Sequence, residues 1–319
     1  MIRVACIGEC MIELAHRSAT DLQLAYGGDT LNTALYLARL TPRSEFAVDY
    51  VTALGDDAYS DAMIRAWREE GIGTGLVARL QGRLPGLHTI RTDDLGERSF
   101  TYWRGESAAR DLLRDGRDAE LRTRLAGCDL LYLSGITLAI LDPGQRRALL
   151  TIADTVRSGG GKVAFDSNFR PAVWPDPNQA RGWFEAILRR TDIALPSLDD
   201  EQALLGIDDP VAVAARLRDL GVDQAVVKLG ADGAYVSAAG MAGTVETSPA
   251  ETVVDSTAAG DSFNAGYLAA ILSGRPPAAA ARNGHRLARL VVCHQGAVIP
   301  RSVMADLMPG SDRNPTAST

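Results

Sequence analysis

Four cysteines in 319 residues are too few to staple a fold, so the chain does not read as a disulfide scaffold. Positive charge is also short. The 33 Lys and Arg against 40 Asp and Glu leave a net charge of −7, which argues against nucleic acid as a partner, because neutralising phosphates takes a concentrated basic surface. No apolar run is long enough for a bilayer: the longest, Leu130 to Leu141, is broken by Ser134, Gly135 and Thr137 and falls short of the about 20 residues that a spanning helix needs. Glu9 interrupts the N-terminal apolar segment too early for a signal peptide. His16, His88, His285 and His294 lack metal-ligating spacing, and so do Cys6, Cys10, Cys128 and Cys293. No transition-metal site is expected, and the thiols read as buried and structural. The remaining composition, 46% hydrophobic and 23% charged, is that of an acidic, soluble, cytoplasmic globular protein with no membrane partner.

Short β-branched runs alternate with helical periodicity along the chain, the pattern of a mostly parallel sheet covered by helices. Arg3 to Ile7 predicts a first strand and Phe46 to Leu54 another. Ala58 to Glu70 predicts a helix, with Asp57 to cap it and Gly71 to stop it. Leu131 to Asp166 reads as one βαβ unit, its helix opened by Asp142-Pro143 and ended by Gly159-Gly160-Gly161. Further strands are expected over 192–195, 225–229 and 234–237. Residues 84–91 and 97–104 alternate as two strands joined by Asp93-Asp94-Leu95-Gly96, and 13–26 has a similar broken alternation. These segments predict a small β element standing off an α/β core, placed to act as a lid. The tail, 309–319, has nothing to bury and is expected to be flexible.

Asp255-Ser256-Thr257-Ala258-Ala259-Gly260-Asp261 carries the strongest chemical signal. Its small residues let successive amides converge on an anion, and the helix that follows adds its positive end. An acid at that point, Asp261, has reason to be there if it accepts a proton from an attacking hydroxyl. Taken alone, the segment fits a helix cap with small packing residues equally well. Gly27-Gly28-Asp29-Thr30-Leu31-Asn32 runs into a helix stripe, where glycines permit close approach by a ligand and Asp29 and Asn32 can bond hydroxyls; an isolated Gly-Gly would favour an ordinary turn. Tyr102-Trp103-Arg104 sets Tyr102 and Arg104 on one strand face and Trp103 on the other. Arg104 can engage a carboxylate bidentately. Asn168 and Arg170 follow a strand's carboxyl end, where open α/β sheets bind ligands. The glycine-rich turn after Lys228 suits a nucleotide only weakly. There is neither a P-loop nor a dinucleotide-binding fingerprint.

Together these motifs resemble the ribokinase-like (PfkB) carbohydrate kinases, from about residue 3 to 308. Asp255–Phe263 is similar to that family's C-terminal signature, and Gly27-Gly28 through Asn32, Ala34 and Arg39-Leu40, with Gly55-Asp56, to its N-terminal one. Within the family, Gly8-Glu9 through Leu14, Leu84-Pro85-Gly86-Leu87 and Tyr102-Trp103-Arg104 look like the subgroup acting on 2-keto-3-deoxygluconate. The resemblance implies a three-layer α/β/α kinase domain over 1–308, with a β-sheet lid from about 11–27 and 84–105. It implies ATP and Mg²⁺ as cofactors and transfer of the γ-phosphoryl group to the C6 hydroxyl of that sugar acid. Asp261 would be the base and the amides of Ala258, Ala259 and Gly260 the anion hole. Gly28, Asp29, Thr30, Leu31, Asn32, His88, Tyr102, Trp103, Arg104 and Arg170 would bind the substrate. Asn168, Phe169, Arg170, Ser197, Lys228, Gly230, Ala231, Asp232 and Gly233 would flank ATP, with Asp200 or Glu201 near the metal. His88 stands where the subgroup commonly has tyrosine. A homo-oligomer, dimer or larger, is also implied. Kinases of the galactonate epimer or of fructose, and a non-catalytic sugar or nucleotide sensor, are the competing readings.

Overall fold

The computed structural model describes residues 1–92, 98–238 and 240–308. Its strands are β1 (Ile2–Ile7), β2 (Met11–His16), β3 (Leu22–Gly27), β4 (Phe46–Leu54), β5 (Val77–Arg79), β6 (Gly86–Thr92), β7 (Arg98–Trp103), β8 (Leu130–Ser134), β9 (Lys162–Asp166), β10 (Ile193–Ala194), β11 (Gln224–Lys228), β12 (Ala234–Ala238) and β13 (Met241–Val245). The helices are α1 (Asp29–Leu40), α2 (Ala58–Glu70), α3 (Arg117–Leu125), α4 (Gly135–Ile140), α5 (Pro143–Ser158), α6 (Pro177–Leu188), α7 (Leu198–Leu205), α8 (Pro210–Asp219), α9 (Ala259–Leu272) and α10 (Pro277–Val292).

Nine strands form one sheet in the order β13-β12-β11-β10-β9-β8-β1-β4-β5, parallel except for the pairings β11–β12 and β12–β13. Both faces are covered, so the central strands are largely apolar and their alternate residues feed two cores. Val4, Cys6, Leu130 and Tyr132 pack with α1, α2, α9 and α10 on one face, while Ala5, Ile7, Leu131 and Leu133 pack with α3, α5, α6 and α8 on the other. The result is the α/β/α layering expected. The chain leaves β1 toward β4 on one side and later returns to β8 on the other, so the direction of strand order reverses beside β1. Ligand sites of open sheets lie at such reversals, at the strands' carboxyl ends.

Local signals account for many boundaries. Asp57 accepts from the amides of Tyr59 and Ser60 to start α2, and Gly71 ends it in the left-handed conformation at φ 85°. Asp142 caps α5 ahead of Pro143. The short α4 was not expected; Ser134 closes β8 and at once opens this helix through a capping box with Thr137. The strand expected over 192–195 is only Ile193–Ala194. The four thiols are free, and Cys6, Cys10 and Cys128 are buried as expected, but Cys293 at the end of α10 is partly exposed. No helix among the described residues is long and apolar enough to cross a membrane.

A second sheet, ordered β3-β2-β6-β7, stands beside the first. The register β7–β6–β2–β3 aligns Tyr102, His88, Glu13 and Ala25 on one face and Trp103, Leu87, Ile12 and Tyr26 on the other. The turn read at Asp93–Gly96 and the tail 309–319 lie outside the described residues.

Candidate active site

The first turns of α1 and α9 meet at the carboxyl ends of the central strands. Ala258 takes the N-cap position of α9 at φ 60°, ψ 15°, with no side-chain cap, so Asp261 is free of the capping role that the sequence left open. Asp255 fastens the preceding loop instead: its Oδ1 accepts from the Thr257 amide at 2.9 Å and its Oδ2 from the Gly296 amide at 2.6 Å. Asp261 Oδ2 accepts from Asn32 Nδ2 at 2.9 Å. Asp29, one turn before Asn32, accepts from Asn168 Nδ2 at 2.7 Å, and Asn168 is itself left-handed at φ 33°. Burial, then the Asp29 carboxylate, push the Asp261 carboxyl up to about 7, against the pull of Asn32 and Lys228. A carboxylate tuned near neutrality can exchange a proton at working pH.

Lys228, one of two lysines in the chain, ends β11 and donates from Nζ to Asp166 Oδ2 at 2.9 Å and to Asn264 Oδ1 at 3.2 Å. Asn264 Nδ2 reaches the same Asp166 oxygen at 2.6 Å. The ammonium lies over the start of α9, since a Cβ at Gly260 would sit 3.5 Å from it. Sequence reasoning missed Asp166 and Asn264 as partners; their shared signal is position, one at a strand's carboxyl end and the other one residue past Phe263 on α9.

Asp166 and Lys228 line a cleft of about 1020 Å³, together with Asp29, Phe100, Tyr102, Asn168, Arg170, Ser197, Asp200, Asp232 and the segment 256–261. Next to it lies a largely apolar pocket of about 300 Å³, formed by Ala231, Gly233, residues 247–250, Val253, Phe263, His285, Ala288 and Val292. Lys228, Gly230, Ser256, Ala259 and Gly260 border both. An apolar pocket joined to a polar cleft at a helix N-terminus suits an aromatic base carrying an anionic chain.

Of the remaining residues read from the sequence, several do not face the cleft. Thr30 and Leu31 are buried, Thr30 hydrogen-bonding Tyr50 at 3.1 Å. Phe169 is buried edge-on to Phe184. Trp103 is 58% exposed on the opposite pleat from Tyr102. Their side chains are structural or outward-facing: helix and strand periodicity turns Thr30, Leu31 and Trp103 away, and Phe169, in the loop after β9, packs into the core. Gly28 has backbone to make room for, as a Cβ there would meet the Glu9 carbonyl at 2.1 Å. His88 is buried beneath Tyr102, the rings 5.6 Å apart, with Nε2 3.2 Å from Glu13. Neither arginine stands alone: Arg104 pairs with buried Glu9, and Arg170 with Asp200 at 3.1 Å. Ser197 caps α7 by accepting from the Asp200 amide. Asp200 lines the cleft, and burial raises its carboxyl, as it does that of Glu201. Glu201 instead turns inward to Ser167 at 3.1 Å.

The fold and this site define a carbohydrate kinase of the pfkB family: the family model matches residues 1–303, and the chain belongs to that family. Among its curated relatives is 2-dehydro-3-deoxygluconokinase of Escherichia coli K12, 47% identical over 306 residues, which cover 95% of this chain and 98% of that one. The crystal structure of a PfkB protein from Polaromonas sp. JS666 is similar at 28% identity, with a TM-score of 0.81, over 96% of this chain and 99% of that chain. Fructokinase with bound ATP from Xylella fastidiosa, 24% identical, has the same fold with a TM-score of 0.80 over 96% and 97%.

Proposed function

We propose that this chain is a sugar-acid kinase that transfers the γ-phosphoryl group of ATP to the C6 hydroxyl of 2-keto-3-deoxy-D-gluconate, giving 2-keto-3-deoxy-6-phosphogluconate and ADP. The observation that carries this reading is Asp261, a carboxylate tuned near neutrality where the positive end of α9 opens into the cleft. The 47% identity to a 2-dehydro-3-deoxygluconokinase over nearly the full length supports the substrate. The chain reads as one kinase domain over 1–308, with the small sheet as a lid.

In this reading the base of ATP occupies the apolar pocket and its phosphates run past Lys228 toward the start of α9. Asp261 takes the proton of the attacking hydroxyl as the new O–P bond forms, and the amides of 258–260 receive the charge on the transferring group. Asp29 and Asn32 meet substrate hydroxyls, with Tyr102 over the sugar and Arg104 and Arg170 toward its carboxylate. Both cations also keep carboxylates of the chain itself, Glu9 and Asp200, so the acid substrate rests on the likeness to the curated relative and not on an unanswered charge. Mg²⁺ would supply charge neutralisation for the phosphates; of Asp200 and Glu201, Asp200 would be the one to hold it, since it lines the cleft while Glu201 does not. A cytoplasmic location fits a consumer of ATP. The outer face of the lid, where Leu22, Leu24 and Trp103 are exposed, suits contact between copies in a homo-oligomer.

The test is incubation with MgATP and 2-keto-3-deoxygluconate, with the product identified by phosphorus–carbon coupling in NMR. Phosphate on C6 supports the reading; phosphorylation of fructose or ribose in preference to the sugar acid would overturn it.

A further inference from the structure

Arg104 is held by a carboxylate that the reaction described above does not use. Glu9 follows β1, is buried, and accepts at Oε2 from Arg104 Nη2. A buried carboxylate is costly unless fully partnered, yet Glu9 Oε1 and Arg104 Nε are both buried without a hydrogen-bond partner. Two glycines leave room around Glu9 and its partner. A Cβ on Gly86 of β6 would lie 2.9 Å from Glu9 Oε1 and 3.2 Å from the Arg104 Cβ, and one on Gly28 would strike the Glu9 carbonyl. Glu9 therefore sits where the end of β1, the entry to α1 and the small sheet meet. The Arg104 guanidinium lies 5.9 Å from the ring centroid of Tyr102, which lines the cleft.

We propose that Glu9 is the positioning residue for Arg104: its carboxylate fixes the guanidinium beside Tyr102 in the orientation that receives the substrate's carboxylate. This rests on the sugar-acid reading above. A free arginine would have to order its long side chain on each binding event, whereas one anchored through Nη2 is already in place. Glu9 is not among the residues lining the cleft and makes no hydrogen bond to Asp261, so its loss is expected to act on acid binding and not on phosphoryl transfer.

The test compares Glu9→Gln, Arg104→Lys and the double variant, with thermal unfolding of each as a folding control. Glu9→Gln keeps the size of the side chain and removes its charge. It is expected to raise KM for the sugar acid about tenfold, as loss of a buried charge partner does, with kcat and KM for ATP within about twofold of wild type. In the Arg104→Lys background the same change is expected to add little, since the group it positions is gone. An unchanged or lowered KM in folded Glu9→Gln overturns the proposal, and so does a full additional loss in the double variant. Wild type that phosphorylates no sugar acid would instead overturn the functional reading, a separate outcome.

Discussion

Asn32 Nδ2 donates to Asp261 Oδ2 at 2.9 Å, joining the first turn of α1 to the first turn of α9 across 229 residues of sequence. The same turn of α1 carries Asp29, whose charge raises the Asp261 carboxyl. One helix end thus both holds the acid and, after burial, contributes to raising its proton affinity.

The pH dependence follows from the charges facing Asp261. Burial, Asp29 from α1 and Asp166 from β9 disfavour its ionised form; Asn32 and Lys228 from β11 favour it. A base works only when ionised, so kcat/KM should fall on the acid side with a limb near 7. Asp29→Asn removes a repelling charge, favours the ionised form and should move that limb to lower pH. Lys228→Met should move it the other way. A pH profile of kcat/KM for each variant checks both signs.

Backbone strain at the start of α9 gives a second expectation. Ala258 sits at φ 60°, a conformation that costs an L-residue roughly 1–2 kcal/mol and glycine almost nothing. Ala258→Gly should raise stability by about 0.5–1 kcal/mol after glycine's larger unfolded-state entropy is counted. Ala258→Val, β-branched in the same conformation, should lower it. Denaturant unfolding of the three proteins measures both.

Filling the apolar pocket separates nucleotide binding from sugar binding. Ala288 on α10 lines that pocket and not the cleft. Ala288→Trp should raise KM for ATP by about tenfold or more while KM for the sugar acid stays near wild type, because occupied pocket volume is lost to the base alone. Initial-rate kinetics with each substrate varied in turn would show it.

The parts of the fold that local chemistry decides were legible in advance. Asp57 and Gly71 bound α2, and Asp142-Pro143 opens α5, because caps and turn glycines act within a few residues. Strand alternation placed Tyr102 and Trp103 on opposite faces. Contacts set by topology were not legible. The Glu9–Arg104 and Arg170–Asp200 pairs join separate elements of the chain, and from sequence both arginines were assigned to the substrate with no partner in the chain named. The apolar pocket escaped notice for a different reason. Thr247, Ser248, Pro249, Val253 and Ala288 carry no reactive chemistry and converge only when β13, α9 and α10 pack. Thr30, Leu31 and Phe169 were drawn into the site because they adjoin residues that belong there, while Thr30 and Leu31 turn inward from α1 and Phe169, in the loop after β9, packs on Phe184.

The most direct measurement compares Asp261→Asn with wild type in MgATP-dependent phosphorylation of 2-keto-3-deoxygluconate, alongside calorimetric binding of the sugar acid to each. Loss of the base should lower kcat by about 10²–10⁴-fold, with sugar-acid affinity nearly unchanged because Asn keeps the shape and the contact to Asn32. Turnover within a few-fold of wild type would contradict the assignment of Asp261 as the base.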